Sequence, residues 1–236
     1  MYILEGNIGA GKSTLLHKIK DAGDMVEVVL EPVNAWHKQE SGQSLLSQFY
    51  ADIPRWAFSL ESYAMACRVK EHVREQQHTY PYRLFERSIY SGHYCFAHNS
   101  YQSGGMINLE WDIYKQWFSF LMKGKCKLPA GFIYLKSTPE ICLQRVKKRN
   151  RPGEENITLE YLQNIDKAHE QFLIDKKGLT PELQMVPVLV LNGNKPFESS
   201  ESLFNQFYDQ IEEFMHMTHL SSSELDLESP ISATTS

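Results

Sequence analysis

The sequence predicts an α/β fold of three layers, in which a five-stranded parallel sheet lies between two layers of helices. Short runs rich in β-branched and aromatic residues alternate with longer helical stretches, an order typical of a parallel sheet wrapped by helices. A glycine-rich loop joins the first run to the first helical stretch, and 236 residues suffice for one large domain of this class. We expect the five strands at residues 2–5, 26–30, 83–86, 131–135 and 186–191.

Local start and stop signals define the main helices between these strands. The longest helical pattern runs from Pro54 to about Gln77, and a proline suits the first turn of a helix. A second pattern covers residues 109–123 and is followed by Gly124, a residue type that often ends helices. Thr138 is the expected N-cap of the helix after the fourth strand.

We expect one folded domain over residues 1–217, followed by a disordered tail over residues 218–236. The tail contains three consecutive serines at 221–223, further serines and threonines, three acids and few apolar residues. Such a segment buries too little apolar surface to offset the entropy cost of folding.

Composition and charge narrow the class of function. The formal net charge of −5 argues against a dedicated nucleic-acid binder. No apolar run approaches the roughly 18 residues of a membrane span, and the first strand begins so early that we expect no signal or transit peptide. The cysteines form no C-x-x-C pair and stand at 67, 95, 126 and 142. We therefore expect reduced thiols in the cytoplasm, or alternatively the nucleus, and neither nucleic acid nor membrane as a partner.

The loop after the first strand is a complete phosphate-binding motif, G-x-x-x-x-G-K-[ST]. Its glycines let consecutive backbone N–H groups converge on one anion, because side chains would block that approach. The lysine would reach the β- and γ-phosphates, and the serine hydroxyl would hold Mg²⁺. The strand before the loop and the helix after it favour triphosphate binding over a glycine-rich turn without a ligand. The candidate residues are Gly6, Asn7, Ile8, Gly9, Ala10, Gly11, Lys12, Ser13 and Thr14.

Charged side chains follow the second and third strands. In an open parallel sheet, ligands bind at the carboxyl ends of the strands, so Glu31, Glu86 and Arg87 should face the site. Glu31 could accept the proton of an attacking hydroxyl. Glu86 could hold the Mg²⁺ shell, and Arg87 could clamp a phosphate oxygen. Alternatively, Glu31 could cap a turn, and Glu86 and Arg87 could form an ordinary ion pair at the surface.

Residues 145–151, Arg-Val-Lys-Lys-Arg-Asn-Arg, hold five cations in seven positions and precede Pro152-Gly153. This pattern suits a helix end that passes into a mobile lid, where arginines could close over a triphosphate. A solvated helix face and a nucleic-acid patch are the alternatives. The negative charge of the whole chain weakens the second of these.

These motifs, in this order, resemble the deoxyribonucleoside kinase family, including its deoxycytidine and deoxyguanosine kinase branch. The resemblance runs from Tyr2 to about Leu191 and is most specific at the phosphate loop, Glu31-Pro32-Val33, Glu86-Arg87-Ser88 and the arginine-rich lid. It implies a P-loop kinase fold and ATP-dependent phosphorylation of a deoxyribonucleoside 5′-hydroxyl with Mg²⁺. It also implies a homodimer formed through the helices near residues 55–77 and 109–123.

The resemblance further implies a role for each matching residue. On the donor side, the lid cations are Arg145, Arg149 and Arg151, and the magnesium groups are Ser13 and Glu86. In the catalytic step, the general base is Glu31, with Arg87 as its partner and the phosphate-loop Lys12 opposite it. For the nucleoside, the sugar 3′-hydroxyl is held by Tyr50 and Glu154, and the aromatic walls around the base are Trp36 and Phe96. Without the family, these aromatic residues would be interpreted as core. The unusual Pro152-Gly153 leaves open whether Glu154 or Glu155 is the match.

The chain departs from the family where the base is read. The family usually has glutamine before Ser62-Tyr63, whereas this chain has Glu61, which offers only acceptors when ionised. An ionised carboxylate suits the ring N–H and amino group of guanine and opposes the bare ring nitrogen of adenine or cytosine. Arg68 lies on the same helical face, and the aspartate with which its counterpart pairs is absent here. We expect Arg68 to pair with Glu61, although both could instead face solvent or a neighbouring helix. Arg68 and Ala64 favour purine or cytosine deoxynucleosides over thymidine.

Two other functions remain open from the sequence. A nucleoside monophosphate kinase of the thymidylate kinase type shares the phosphate loop and a lid, but its acceptor is already ionised and needs no general base. Glu31 therefore favours a hydroxyl acceptor. A nucleotide-binding module without turnover would usually carry a guanine-reading motif such as N-K-x-D, which the sequence lacks.

Overall fold

Five parallel strands form the central sheet of the computed structural model. They pair in the order β2-β3-β1-β4-β5, and every pairing is parallel. This confirms the predicted five-stranded parallel sheet. The strands are β1 (Tyr2–Glu5), β2 (Val26–Val29), β3 (Tyr82–Glu86), β4 (Gly131–Lys136) and β5 (Val188–Asn192). The structure describes residues 1–23, 25–33, 36, 42–77 and 82–227, the last eight of these by their backbone.

Helices cover both faces of the sheet and make the predicted three layers. Alternate residues of β1 point to opposite faces: Ile3 packs into the core on one side, and Tyr2 and Leu4 pack into the core on the other. The helices are α1 (Lys12–Ala22), α2 (Leu45–Ala51), α3 (Ile53–Glu75), α4 (Ile89–Ser91), α5 (His98–Gln102), α6 (Asn108–Met122), α7 (Pro139–Arg149), α8 (Leu159–His169), α9 (Pro181–Met185) and α10 (Glu201–Leu227). Two π-helical segments, Gly92–Ala97 and Glu170–Ile174, continue α4 and α8.

The predicted helix signals agree with the observed bounds to within a few residues. Helices α3 and α6 correspond to the two long patterns, and Thr138 is the N-cap of α7. Gly124 adopts a φ of 76°, a left-handed conformation just beyond the end of α6. Across the described part of the chain, no helix is both long enough and apolar enough to cross a lipid bilayer.

The C-terminal helix differs from the expected boundary. Helix α10 runs without interruption through Leu227, so the boundary expected at residue 217 falls inside a helix. Residues 228–236, the rest of the expected tail, lie outside the described residues. Upstream of residue 217, Phe207 and Ile211 of α10 are buried against the sheet, so this part of the helix belongs to the folded domain.

Candidate active site

A cavity of about 860 Å³ lies at the carboxyl ends of β1, β2 and β3. The phosphate loop forms one wall, α2 and α3 form the opposite wall, and the end of α7 lies above it. The strand order brings these parts together, because β1 has β3 beside it and β2 is next in line. Such an edge is where open parallel sheets bind ligands.

The phosphate loop has a closely packed shape that depends on its glycines. Gly9 and Gly11 have φ values of 80° and 103°, a region that favours glycine. A Cβ on Gly9 would collide with the carbonyl oxygen of Cys142. The loop residues that line the cavity are Ile8, Gly9, Gly11, Lys12, Ser13 and Thr14. Gly6, Asn7 and Ala10 lie behind them, and Asn7 anchors the loop by donating to the carbonyl oxygen of Leu162 over 2.8 Å.

Lys12 is buried at the base of this loop. Its Nζ donates to the carbonyl oxygens of Gly6 over 3.0 Å and Asn7 over 2.9 Å. Burial, together with the charge of Arg87, lowers the pKa of Lys12 to about 7 against the opposing effect of nearby carboxylates. An anionic ligand beside Nζ would stabilise the charged form. The position therefore suits a phosphate.

Ser13 and Glu86 meet on the sheet side of the cavity. The Ser13 hydroxyl donates to Glu86 Oε1 over 2.6 Å, and Glu86 Oε2 accepts a long 3.5 Å bond from the backbone N–H of Glu31. One hydroxyl and one carboxylate fit Mg²⁺, which prefers oxygen ligands and completes its shell with water and substrate phosphates. Among the described residues there is no cluster of three or more His, Cys, Asp or Glu side chains suited to a metal.

Glu31 is clamped by two arginines. Arg68 donates to Glu31 Oε1 through Nε over 3.0 Å and through Nη2 over 2.6 Å, and Arg87 Nε lies 3.4 Å from Oε2. Burial alone would raise the pKa of Glu31, but the charges of Arg68 and Arg87 outweigh it and hold the pKa below its ordinary value. Glu31 is therefore an ionised carboxylate that faces the phosphate loop.

The expected pairing of Arg68 with Glu61 is wrong. Both side chains are buried and line the cavity, but Arg68 directs two donors to Glu31 and forms no ion pair with Glu61 within 4.0 Å. Gly92 packs against the guanidinium, and a Cβ there would lie 2.6 Å from Arg68 Nη1. The Arg68 side chain is held between Gly92 and Glu31. Glu61 accepts instead a long 3.4 Å hydrogen bond from Ser100.

Arg87 reaches the site through an unusual backbone conformation. Its φ of 66° is left-handed, which non-glycine residues seldom adopt, and its backbone N–H donates to the carbonyl oxygen of Leu4 over 2.9 Å. The guanidinium lies 4.4 Å from the centre of the Phe96 ring. Such strained residues persist where their surroundings fix them, often at functional sites. Here the strain turns the Arg87 side chain toward Glu31.

The far end of the cavity is aromatic. Trp36 and Phe96 are buried and line it, and the Arg68 guanidinium lies 5.2 Å from the centre of the Trp36 ring. Tyr50 lies beside them with its ring edge-on to Tyr161 at 6.0 Å. Burial raises the pKa of Tyr50, and the charge of Glu154 raises it further, so the phenol is a neutral hydrogen-bonding group. The space between these residues suits a flat ring joined to a polar sugar.

The arginine-rich segment expected to form a lid lines the cavity with Arg145, Arg149 and Arg151. Arg145 Nη1 donates to the carbonyl oxygen of Ala10 over 2.9 Å. Arg149 and Arg151 pair with Glu154 at 2.7 Å and 3.4 Å. Glu154 is 6% exposed and lines the cavity, whereas Glu155 is exposed and does not. Of the two acids left open by the sequence, Glu154 is therefore the one positioned at the site.

The chain is similar to known proteins over most of its length. A family model described as deoxynucleoside kinase matches residues 2–216. The chain belongs to the deoxynucleoside kinase family. It is 36% identical over 238 residues to deoxycytidine kinase 2 of Gallus gallus, covering 90% of this chain and 89% of that protein. It is 34% identical over 235 residues to deoxycytidine kinase of Homo sapiens, covering 90% and 89%. It is 38% identical over 208 residues to mitochondrial thymidine kinase 2 of Homo sapiens, covering 88% and 76%.

Family membership establishes the class of reaction. This deoxynucleoside kinase is a phosphotransferase that acts with ATP on the 5′-hydroxyl of a deoxyribonucleoside. Neither a monophosphate kinase of the thymidylate kinase type nor a module without turnover is favoured by these matches. The predicted family, fold class and reaction are thereby confirmed.

Sequence reasoning missed several residues of the kinase site. The segment 195–199 follows β5 and lines the cavity, and a Cβ on Gly11 would lie 3.0 Å from the Phe197 ring. The carboxyl-end rule, which found Glu31 and Glu86, also applies to β5 and could have found this segment. Buried Glu5 does not line the cavity but ends β1, just before the phosphate loop, and it was also not singled out; it accepts a short hydrogen bond from Ser88. Nothing in the local pattern distinguishes Glu5 from an ordinary strand-end acid.

Proposed function

We propose that Glu31 is the general base of this kinase and that it orients the 5′-hydroxyl for attack on the γ-phosphorus of ATP. The observation that carries this proposal is the ionised Glu31 carboxylate between Arg68 and Arg87, across the cavity from Lys12. A carboxylate there accepts the hydroxyl proton as the new O–P bond forms. Because phosphoryl transfer is loose, much of the benefit of Glu31 lies in orientation.

On the donor side, the phosphate loop and the lid surround the triphosphate. Backbone N–H groups of residues 6–14 bind the phosphates, and Lys12 pairs with their charge. Arg145, Arg149 and Arg151 neutralise the charge that develops on the transferred group. Ser13 and Glu86 would hold Mg²⁺, which when bound would offset the negative charge of the phosphates. The support for this assignment is the convergence of these side chains on one cavity.

On the acceptor side, the far end of the cavity holds the nucleoside. Trp36 and Phe96 pack against the base, while Tyr50 and Glu154 hold the 3′-hydroxyl. Glu61 and Arg68 face the edge of the base from one helix face, and with Ala64 they support a preference for purine or cytosine deoxynucleosides. Relatives named deoxycytidine kinase agree with this preference.

We also propose a homodimer in a reducing compartment, the cytoplasm or alternatively the nucleus, with residues 1–217 as the catalytic unit. The support for a dimer is an apolar surface on α6 with exposed Leu109, Trp117 and Phe120. The support for a reducing compartment is that Cys67, Cys95, Cys126 and Cys142 are all free.

The proposed function is tested with ATP, four deoxynucleosides and their monophosphates. We expect 5′-monophosphate formation from deoxynucleosides, and we expect Glu31→Gln to lower kcat by about 10²- to 10⁴-fold with ATP binding retained. Glu27→Gln is the matched control, because Glu27 lies on the same strand but pairs with Arg83 outside the cavity. Phosphorylation of monophosphates alone, or full activity of Glu31→Gln, would contradict the proposal.

A further inference from the structure

The carboxyl of Glu61 is placed where it can bind the edge of a nucleobase in either of two protonation states. We propose that Glu61 accepts guanine through its ionised carboxylate and adenine or cytosine through its neutral carboxyl, so that the preferred deoxynucleoside changes with pH. This inference rests on the proposed function, since it requires that the base lie beside Glu61. It goes beyond the proposed function because it assigns the choice of nucleobase to the protonation state of the Glu61 carboxyl.

The geometry leaves Glu61 free to gain or lose that proton. Its side chain is 4% exposed and lines the cavity. Arg68, the cation nearest in sequence on the same helix face, is committed to Glu31 by two hydrogen bonds. Among the described residues, the hydrogen-bond partner found for Glu61 is the Ser100 hydroxyl, at a long 3.4 Å. A buried carboxyl without an ion pair is not bound to remain ionised.

Each protonation state complements a different base edge. Guanine presents a ring N–H beside an amino group, two donors that match the two acceptors of a carboxylate. Adenine and cytosine present a bare ring nitrogen beside an amino group, and these match the hydroxyl and carbonyl of a neutral carboxyl. The neutral group thus offers the same donor and acceptor as the glutamine that the family usually has here. The ionised group offers what glutamine cannot.

The surroundings set the balance between the two states near neutral pH. Burial raises the pKa of Glu61 to about 7, against the opposing charges of Arg68 and Arg87 and the Ser100 hydrogen bond, while the charge of Glu31 raises it. The neutral form therefore dominates below about pH 7 and the ionised form above it. Among the described residues, Glu61 also interacts with the phenols of Tyr50 on α2, Tyr114 on α6 and Tyr161 on α8. Burial raises the pKa of each phenol, so none of them charges in this range.

The test is the ratio of kcat/KM for deoxyguanosine to kcat/KM for deoxyadenosine, measured with ATP from about pH 6 to about pH 8. Both bases are purines, so they differ at the edge rather than in size. Ionisations of Lys12, Glu31 and ATP affect both substrates and cancel in the ratio. We expect the ratio to rise toward tenfold per pH unit, because one substrate requires the group without its proton and the other requires it with the proton.

Two variants isolate the group responsible. Glu61→Gln fixes one donor and one acceptor, so its ratio should stay constant with pH and favour deoxyadenosine. Glu71→Gln, on the same helix but paired with Arg74 outside the main cavity, should keep the slope of the parent protein. A parent ratio that does not move with pH, or refusal of either purine at every pH, would overturn the inference. Failure to phosphorylate any deoxynucleoside would instead refute the proposed function.

Discussion

Arg68 and Arg87 keep a charge on Glu31 in a place where burial works against it. The Glu31 side chain is 8% exposed. Without cations nearby, burial would raise the pKa of such a carboxyl and favour its neutral form. Arg68 provides the closer contact, with two donors on one oxygen, and Arg87 provides the longer contact on the other. Arg68 thus positions Glu31, the proposed general base, in addition to any contact with the nucleobase.

Arg68→Met should therefore raise the pKa of Glu31 and move the acid limb of the kcat profile to higher pH. With nucleoside and ATP saturating, we expect kcat near pH 6 to fall about tenfold or more, and kcat near pH 8.5 to change by less than about threefold. The measurement is kcat across this pH range. A change confined to KM would show only that Arg68 contacts the nucleobase, without a role in holding Glu31 ionised. Arg74→Met is the matched control, because Arg74 is 56% exposed on the same helix and pairs with Glu71. Parallel profiles for Arg68→Met and the parent would contradict the role.

The error about Arg68 marks the limit of prediction at this scale. Helical periodicity correctly put Glu61 and Arg68 on one face of α3, because that depends on spacing alone. Periodicity could not identify the partner of Arg68. Glu31 is distant in sequence and comes close to Arg68 only because it follows β2 at the edge of the folded sheet. The sequence near Gly92 gave a partial signal. The aspartate that pairs with the corresponding arginine in the family is absent there, so Arg68 had to have a different partner. Glu31, Glu86 and Arg87 were found because strand ends share one edge of the sheet.

The π-helical segment Gly92–Ala97 packs against α6 through stacked rings. The His93 ring lies 3.9 Å from that of Phe118, nearly parallel at 6°, and it also stacks with Trp111 and Tyr114. Burial, together with the charges of His98 and Lys115, lowers the pKa of His93 to about 3. The native state therefore holds a neutral ring at this junction, while the unfolded chain binds a proton there near pH 6.5.

His93→Phe should remove this source of acid instability. A histidine whose pKa is lowered by folding contributes stability above its unfolded pKa, and that contribution is lost as the pH falls. Between about pH 6.5 and about pH 4.5, the parent should lose up to about 1.4 kcal/mol per pH unit relative to His93→Phe. Chemical denaturation of both proteins across this range measures the difference, in which the other histidines cancel. A difference that does not change with pH would show that His93 titrates normally.

Elements with periodic signals were predictable, and those without them were not. All five strands were expected within about two residues of their observed bounds. The fifth strand begins at Val188 rather than at residue 186, because Pro187 has no N–H to donate to a ladder; its carbonyl oxygen instead accepts from Phe132. The π-helical segments were not foreseen, since one extra residue in a turn leaves no mark in an apolar pattern.

At the scale of the whole molecule, strand order and the lid complete a site that no single element contains. Residues from the loop after β1 to the segment after β5 line one cavity. Arg149 and Arg151 form ion pairs with Glu154, and all three residues line the same cavity. The order of the site motifs along the sequence was sufficient to indicate the reaction. The pairing of lid arginines with Glu154 depends on how the lid folds, which spacing does not determine.

The surface of α6 carries the last prediction, the homodimer. Trp117 and Phe120 are 53% and 58% exposed and lie edge-on to each other at 6.3 Å. Large apolar side chains grouped on one helix are costly in water and typical of an interface. We expect sedimentation to give about twice the 27.3 kDa chain mass for the parent, and about one chain mass for the double variant Trp117→Glu with Phe120→Glu, because burying two carboxylates opposes association. Met185→Glu is the matched control: Met185 is 81% exposed but lies on α9, so this variant should remain dimeric. A parent that sediments as a single chain at micromolar concentration would contradict the assignment of this face.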